Sequence, residues 1–253
     1  MQGLRVLNTR PELQGKKLSQ AIKQLGGISI DCPALAIEPV KNNWVREITP
    51  CLKAMDFAIF TSTNAVNYAL SSLLLFHRWP EKLRAIPIGQ TTANALAHYG
   101  IAAYFIPDES RSESLLAHPY LQKIEGKKVL LFKGEKGRTC IQDTLCLRGA
   151  ECVEVDVYRR VLPLASAGIL HRLQERESID IMLITSQEAI QNILTLWDKK
   201  LPTWIFDTPC LVISQRLASF VSTLGFKTIL ISKPETVLQT LNQFDQGFDY
   251  GRV

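Results

Sequence analysis

Short β-branched and aromatic runs alternate with helix-compatible stretches along the whole chain, the pattern of parallel α/β architecture. The apolar runs predict ten strands, at residues 4–8, 28–31, 57–61, 85–88, 103–106, 129–132, 152–158, 181–185, 210–213 and 228–231. Helical periodicity follows most of them, as at 15–25, 63–75, 91–99 and 188–197. Two stretches break the pattern. Residues 32–40 and 153–164 mix Pro33, Pro39 and Pro163 with alternating apolar positions, and read as extended connectors rather than sheet cores.

The two halves of the chain repeat. Residues 60–66 overlay 184–190, and 88–100 overlay 213–225. Arg5-Val6-Leu7 overlays Lys128-Val129-Leu130, and Leu25-Gly26-Gly27 overlays Leu147-Arg148-Gly149. A nearly constant spacing across four blocks points to a duplicated βαβ-type unit of five strands. Two connectors at equivalent positions imply that the chain passes between its domains twice. The predicted organisation is a discontinuous α/β domain from residues 1–33 and 164–253, a second α/β domain over 53–152, and connectors at 34–52 and 153–163.

Composition narrows the function classes. With 253 residues, 46% hydrophobic and 21% charged, the chain has the material for two ordinary globular cores. Its net charge of +5 is scattered, with no Lys/Arg run longer than two. A nucleic-acid binder gathers such charge on one face, so no nucleic-acid partner is expected. The six cysteines lack a C-x-x-C pair and predict buried, reduced thiols. The four histidines are scattered and predict no metal site. No apolar stretch approaches the ~20 residues that span a bilayer, and no signal pattern precedes the first strand; a cytoplasmic protein away from membranes is expected.

In open parallel sheets, ligands bind beyond the carboxyl ends of the strands. There the chain carries Thr9-Arg10, Ser62-Thr63-Asn64, Gly89-Gln90-Thr91-Thr92, Lys133-Gly134-Glu135, Ser186-Gln187 and Ser214-Gln215-Arg216. Two readings of these residues stand. Each hydroxyl caps a helix, or the helix N-termini together offer free N–H donors to a polyanion. No G-x-x-x-x-G-K-[ST] or post-strand G-x-G-x-x-G is present, which argues against a nucleotide. Tyr158 ends an alternating run beside Arg159 and Arg160. It reads either as a packing aromatic or as a proton donor in an interdomain cleft.

These residues resemble a family. Thr9-Arg10-Pro11, Phe-Thr-Ser-x-Asn-Ala-Val at 60–66, Ile-Gly-x-Thr-Thr-Ala at 88–93 and Ser-x-Ser-Leu at 112–115 are similar to uroporphyrinogen-III synthases. So are Lys-Gly-Glu-x-Gly-Arg at 133–138, Val-Tyr-Arg-Arg at 157–160 and Ile-Thr-Ser at 184–186. The likeness covers nearly the whole chain, and its specificity lies in the order of the motifs rather than in any one.

The resemblance implies two flavodoxin-like domains joined by a two-stranded ladder, one of them built from both chain ends. It implies hydroxymethylbilane as substrate, no metal or organic cofactor, a monomer, and transient contact with hydroxymethylbilane synthase. The implied catalytic residue is Tyr158. The implied substrate-binding set is Thr9, Arg10, Ser62, Thr63, Gly89, Gln90, Thr91, Thr92, Ser112, Lys133, Gly134, Arg138, Ser186, Ser214, Gln215 and Arg216. The chain departs from the family pattern where Lys133 replaces a more usual Arg, and where Ser214-Gln215-Arg216 replaces the first half's Gly-x-Thr-Thr. A non-catalytic, two-lobed cytoplasmic binding protein for a tetrapyrrole or other small polyanion is the alternative that the residues leave open.

Overall fold

A computed structural model describes residues 1–41, 43–75, 77–137, 139–173, 179–197 and 201–247. The chain divides into two compact units, Met1–Ala36 with Val161–Val253, and Ile37–Arg160. The strands are β1 (Arg5–Asn8), β2 (Ile28–Asp31), β3 (Ala36–Pro39), β4 (Phe57–Phe60), β5 (Arg84–Pro87), β6 (Lys128–Gly134), β7 (Glu151–Val161), β8 (Ile181–Ile184), β9 (Cys210–Val212) and β10 (Ile229–Ile231). The helices are α1 (Glu12–Gln24), α2 (Trp44–Ile48), α3 (Thr63–Leu73), α4 (Gln90–His98), α5 (Ser112–Ala117), α6 (Pro119–Gln122), α7 (Cys140–Leu147), α8 (Ala165–Arg172), α9 (Gln187–Trp197), α10 (Gln215–Thr223) and α11 (Val237–Asp245).

The first unit holds a five-stranded sheet in the order β10-β9-β8-β1-β2, parallel at every pairing. Its two faces are covered by separate cores, one around Leu7, Met182, Ile184 and Trp197, the other around Val6, Ile181, Leu183 and Leu241. The second unit's sheet runs β3-β7-β6-β4-β5, and its pairings from β7 to β5 are parallel. Phe60, Phe132, Val155 and Leu70 fill one face, and Ile59, Leu131, Ile141 and Leu145 the other. Continuous apolar strands such as Phe57–Phe60 and Ile181–Ile184 form because both faces of each sheet are covered.

Three expectations need correction. The connector stretches are extended, but they enter the second sheet: Ala36–Pro39 is β3, at its edge, and residues 153–161 lie inside β7. An edge position tolerates Pro39, whose nitrogen has no proton for a neighbouring strand. The strand expected at 103–106 shrinks to one bridge, Ala103 to Ala85, with the Tyr104 N–H donating to the Ala85 carbonyl at 2.8 Å. Beyond it, Tyr104 and Phe105 turn into a ring cluster with His118 and Tyr120, and Pro107 follows. The thiols are all free, yet only Cys32 and Cys210 are buried; Cys140 and Cys146 are exposed on α7. Burial pushes the Cys32 and Cys210 thiols up to about 12.

Among the described residues no helix is long and apolar enough to cross a membrane, and no cluster of three or more His, Cys, Asp or Glu could hold a metal ion.

At the amino ends of β1 and β8, Asp180 takes the Arg5 backbone N–H at 2.7 Å and its Nη2 at 2.8 Å. The Arg5 guanidinium holds the Asp180 carboxyl below the usual aspartate range, against an opposing push from burial. A carboxyl depressed by folding stabilises the native state above the unfolded value near ~4, and that gain disappears as pH falls through the folded value. Asp180→Asn should therefore lower Tm by roughly 2–4 °C at pH 7, the shift that ~1 kcal/mol produces in a chain of this size. The difference from wild type should narrow in thermal melts as pH falls below the ordinary aspartate value of ~4; a gap that does not narrow would assign the effect to packing rather than charge.

Candidate functional site

In the second unit the chemistry gathers where β4, β6 and β7 end. Strand β7 pairs in parallel with β6 in regular register from Glu151 to Asp156, with Lys133 opposite Asp156. The register then shifts, and Gly134 faces Tyr158, so Val157 is the extra residue of a bulge. Strict alternation would turn Val157 and Tyr158 to opposite faces. The bulge instead puts Val155, Val157 and Tyr158 in the same core.

Three neighbours fix the Tyr158 ring, which is only 6% exposed. Tyr68 on α3 stacks on it, with centroids 6.1 Å apart and planes at 27°. Gly134 lies beneath it, where a Cβ would stand 2.6 Å from Cζ. Ser62, the N-cap of α3, accepts the Ala65 N–H at 3.0 Å and donates its hydroxyl proton to the Tyr158 oxygen at 3.2 Å. Among the described residues the phenol proton of Tyr158 has no acceptor. The Tyr68 hydroxyl, in contrast, donates to the Ile37 carbonyl at 2.8 Å, and burial raises that phenol above its ordinary value, with the Glu38 charge adding to it. Tyr68 is engaged; Tyr158 is available.

The other predicted residues of this unit fall into groups. Thr63 opens α3 beside Ser62, half-buried. Gly89 starts α4, and any Cβ there would land on the Ser110 side chain; Gln90 and Thr91 are exposed on the first turn, whereas Thr92 is buried. Gln90 also reaches Asn94, at 2.8 Å. Ser112 begins α5, half-buried. Lys133 is buried with its ammonium between Asp156, at 3.2 Å, and Glu154, at 3.5 Å. Arg138 lies outside the described residues.

In the first unit, Thr9 is buried and donates to the Leu183 carbonyl at 2.6 Å, bridging the ends of β1 and β8. Arg10 follows, half-buried, and its Nε is enclosed without a hydrogen-bond partner among the described residues. Ser186 and Ser214 cap α9 and α10 by accepting the N–H groups of Ala189, at 3.0 Å, and Leu217, at 3.3 Å. Gln215 and Arg216 stand exposed on the first turn of α10. Ser62, Ser186 and Ser214 are therefore helix caps, whatever else they do.

Sequence reasoning missed Thr61, Tyr68 and Ser110. Thr61 donates to the Phe132 carbonyl at 3.2 Å, bridging β4 and β6 as Thr9 bridges β1 and β8. Its signal was present, since Thr61 sits within the quoted Phe-Thr-Ser motif. Tyr68 and Ser110 gave none, because their roles depend on contacts distant in sequence.

The uroporphyrinogen-III synthase HemD family matches residues 16–241. The uroporphyrinogen-III synthase of Escherichia coli (strain K12) is 32% identical over 236 residues, covering 90% of this chain and 94% of that protein. The Salmonella typhimurium synthase is 30% identical over 235 residues, with the same coverage of 90% and 94%. Among solved structures, a mutant uroporphyrinogen III synthase of Thermus thermophilus superposes with a TM-score of 0.62 over 96% of this chain and 98% of its own, at 18% identity. The Helicobacter pylori uroporphyrinogen-III synthetase superposes with a TM-score of 0.57 over 98% and 100%, at 15% identity. The two structures share the fold, the two sequences share far more, and together with the family match they show that the chain belongs to the uroporphyrinogen-III synthase family.

Proposed function

We propose that this enzyme, a cyclising lyase of tetrapyrrole and haem biosynthesis, converts hydroxymethylbilane to uroporphyrinogen III with Tyr158 as the general acid. The observation that carries the assignment is the state of the Tyr158 phenol: Ser62 donates to its oxygen, and among the described residues its own proton has no acceptor.

The reaction begins when the substrate's terminal hydroxyl leaves as water. A hydroxide is a poor leaving group, and a proton delivered as the C–O bond breaks removes that difficulty. Tyr158 supplies the proton and becomes a phenolate, and the Ser62 hydroxyl already points at the oxygen on which the charge develops. The azafulvene left behind is attacked through the substituted carbon of the last pyrrole. The spiro intermediate reopens and closes with that ring inverted, and the ring proton lost on closure restores the phenol. Free hydroxymethylbilane closes unaided to the uninverted isomer, so the protein's main task is to hold the reacting carbons in the harder arrangement.

The substrate's eight carboxylates call for many weak anion contacts. Gly89, Gln90 and Thr91 at the start of α4 offer backbone N–H groups, as does the start of α3 around Thr63. In the first unit, the starts of α9 and α10, with Ser186, Ser214, Gln215 and Arg216, offer the same chemistry, and Arg10 follows β1. Ser112 and Thr92 shape these positions more than they donate, since Thr92 is buried.

The direct experiment couples the protein to porphobilinogen and its deaminase, oxidises the products and separates the uroporphyrin isomers. Isomer III in excess of the no-protein control is expected; isomer I alone, from folded protein, would end the reading. Tyr158→Phe should lower kcat by roughly 10²–10⁴, the usual contribution of a positioned acid, with little change in product affinity. Wild-type turnover would remove Tyr158 from the chemistry. Gly134→Ala should depress kcat to a similar degree while Tyr158 stays in place in the sequence, because the new Cβ occupies the ring's seat. Full activity in that variant would mean that the ring has room to shift and that its position does not matter.

A further inference from the structure

The ion cluster beside the tyrosine has no part in the mechanism above. Lys133 has a side chain only 8% exposed, and its ammonium lies 3.2 Å from Asp156 and 3.5 Å from Glu154. The Gln142 side-chain amide, on α7, also lies against Glu154, and with its nitrogen turned toward the carboxylate it donates to Oε1 at 2.7 Å. All of the cation's charge is thus spent on strand β7, one position ahead of the bulge.

That location matters because a parallel pair can slip. Regular pairing runs from Lys128–Glu151 to Lys133–Asp156, then skips Val157 and resumes at Gly134–Tyr158. A bulge aims a side chain only if the pairing before it is fixed, since a one-residue slip turns every following side chain to the other face. Backbone hydrogen bonds cannot choose between registers, because every register offers the same N–H and C=O groups. A buried cation with carboxylates at 154 and 156 can choose. Slipping β7 by one residue would place Val155 or Val157 opposite Lys133, leaving a buried charge with no partner. After the bulge, the Glu135 N–H bonds the Tyr158 carbonyl at 2.9 Å and closes the new register.

We infer that Lys133 is a positioning residue: through Asp156 and Glu154 it locks the register of β6 and β7, and so aims the Tyr158 phenol at Ser62. The inference rests on Tyr158 being the acid, and it moves Lys133 from the substrate-binding set to the machinery behind the acid.

The test is a double-mutant cycle on the full chain, with an NMR probe of the phenol. Tyrosine labelled with ¹³C at Cζ gives resonances for six tyrosines, and the one missing in Tyr158→Phe belongs to Tyr158. Lys133→Met keeps the stem and removes the charge. It should shift the Tyr158 resonance and lower kcat at least tenfold, with KM within twofold. Lys133→Arg should return both toward wild type. In a Tyr158→Phe background, Lys133→Met should lower kcat no further.

A Lys133→Met variant that chiefly raises KM, or loses the same factor without the phenol, would make Lys133 a direct substrate contact and overturn the inference. So would an unmoved resonance with wild-type kcat and only a lower Tm, which marks a plain stability residue. If Lys133→Met does not fold, Asp156→Asn, which leaves Lys133 its Glu154 partner, is read by the same criteria. Wild-type turnover in Tyr158→Phe would end the acid reading alone, and the resonance would still decide whether Lys133 sets the position of Tyr158.

Discussion

A parallel strand covered on both faces has no room for a polar side chain along its length, and the polar ends of both sheets follow from that constraint. Every residue of Phe57–Phe60 and Ile181–Ile184 is buried. Hydroxyls and amides are therefore confined to the strand ends, where each chain segment turns into a helix. The carboxyl ends collect them because there the backbone N–H groups of the next helix also face outward. The two threonines at the points where sheet order reverses show how tightly the rule applies: Thr9 and Thr61 each satisfy a hydroxyl by bonding a carbonyl of the neighbouring strand. Lys133, one residue short of the end of β6, is buried in the company of two carboxylates.

Capping and catalysis are not rival explanations of Ser62. A hydroxyl accepts and donates at once. Its lone pair takes the Ala65 N–H and starts α3, worth about 1 kcal/mol. The same cap fixes the oxygen's position, which leaves its proton aimed at the Tyr158 oxygen. A serine held only by a flexible loop could make that second bond, but with freedom to leave it. The helix that stabilises the unit thereby orients the donor that would stabilise a phenolate.

The duplication, the alternation of strands and helices and the polar strand ends were legible because they depend on local pattern. Fully apolar runs such as 57–60 and 181–184 have few other readings. What escaped depends on partners distant in sequence. Pro39 suggested a connector because proline is excluded from sheet interiors, yet β3 is an edge, where it is tolerated. Residues 103–106 carry strand-forming side chains, but their rings find one another instead. Lys133 resembles a ligand-binding cation in sequence, and only the register of β7 reveals the two carboxylates that hold it. Nothing in the sequence around Gly134, which the resemblance places in the substrate-binding set, shows that a Cβ there would meet the Tyr158 ring.

The repeat also accounts for why there is one such tyrosine rather than two. By sequence, β6 and β7 correspond to β1 and β2, and β4 and β5 to β8 and β9. The sheets agree, since β7-β6-β4-β5 follows the same spatial order as β2-β1-β8-β9. The bridge at Ala103 stands beside β5 where β10 stands beside β9. The correspondence ends at β7, which runs for 11 residues against the 4 of β2. The surplus carries the bulge, Tyr158 and the pairing with β3, where the Val40 N–H reaches the Val157 carbonyl at 3.3 Å. Both units carry serine-capped helices after corresponding strands, α3 after β4 and α9 after β8. Tyr158 lies on the one strand that outgrew its counterpart, and the bulge is the device that lets a longer strand turn one extra side chain inward.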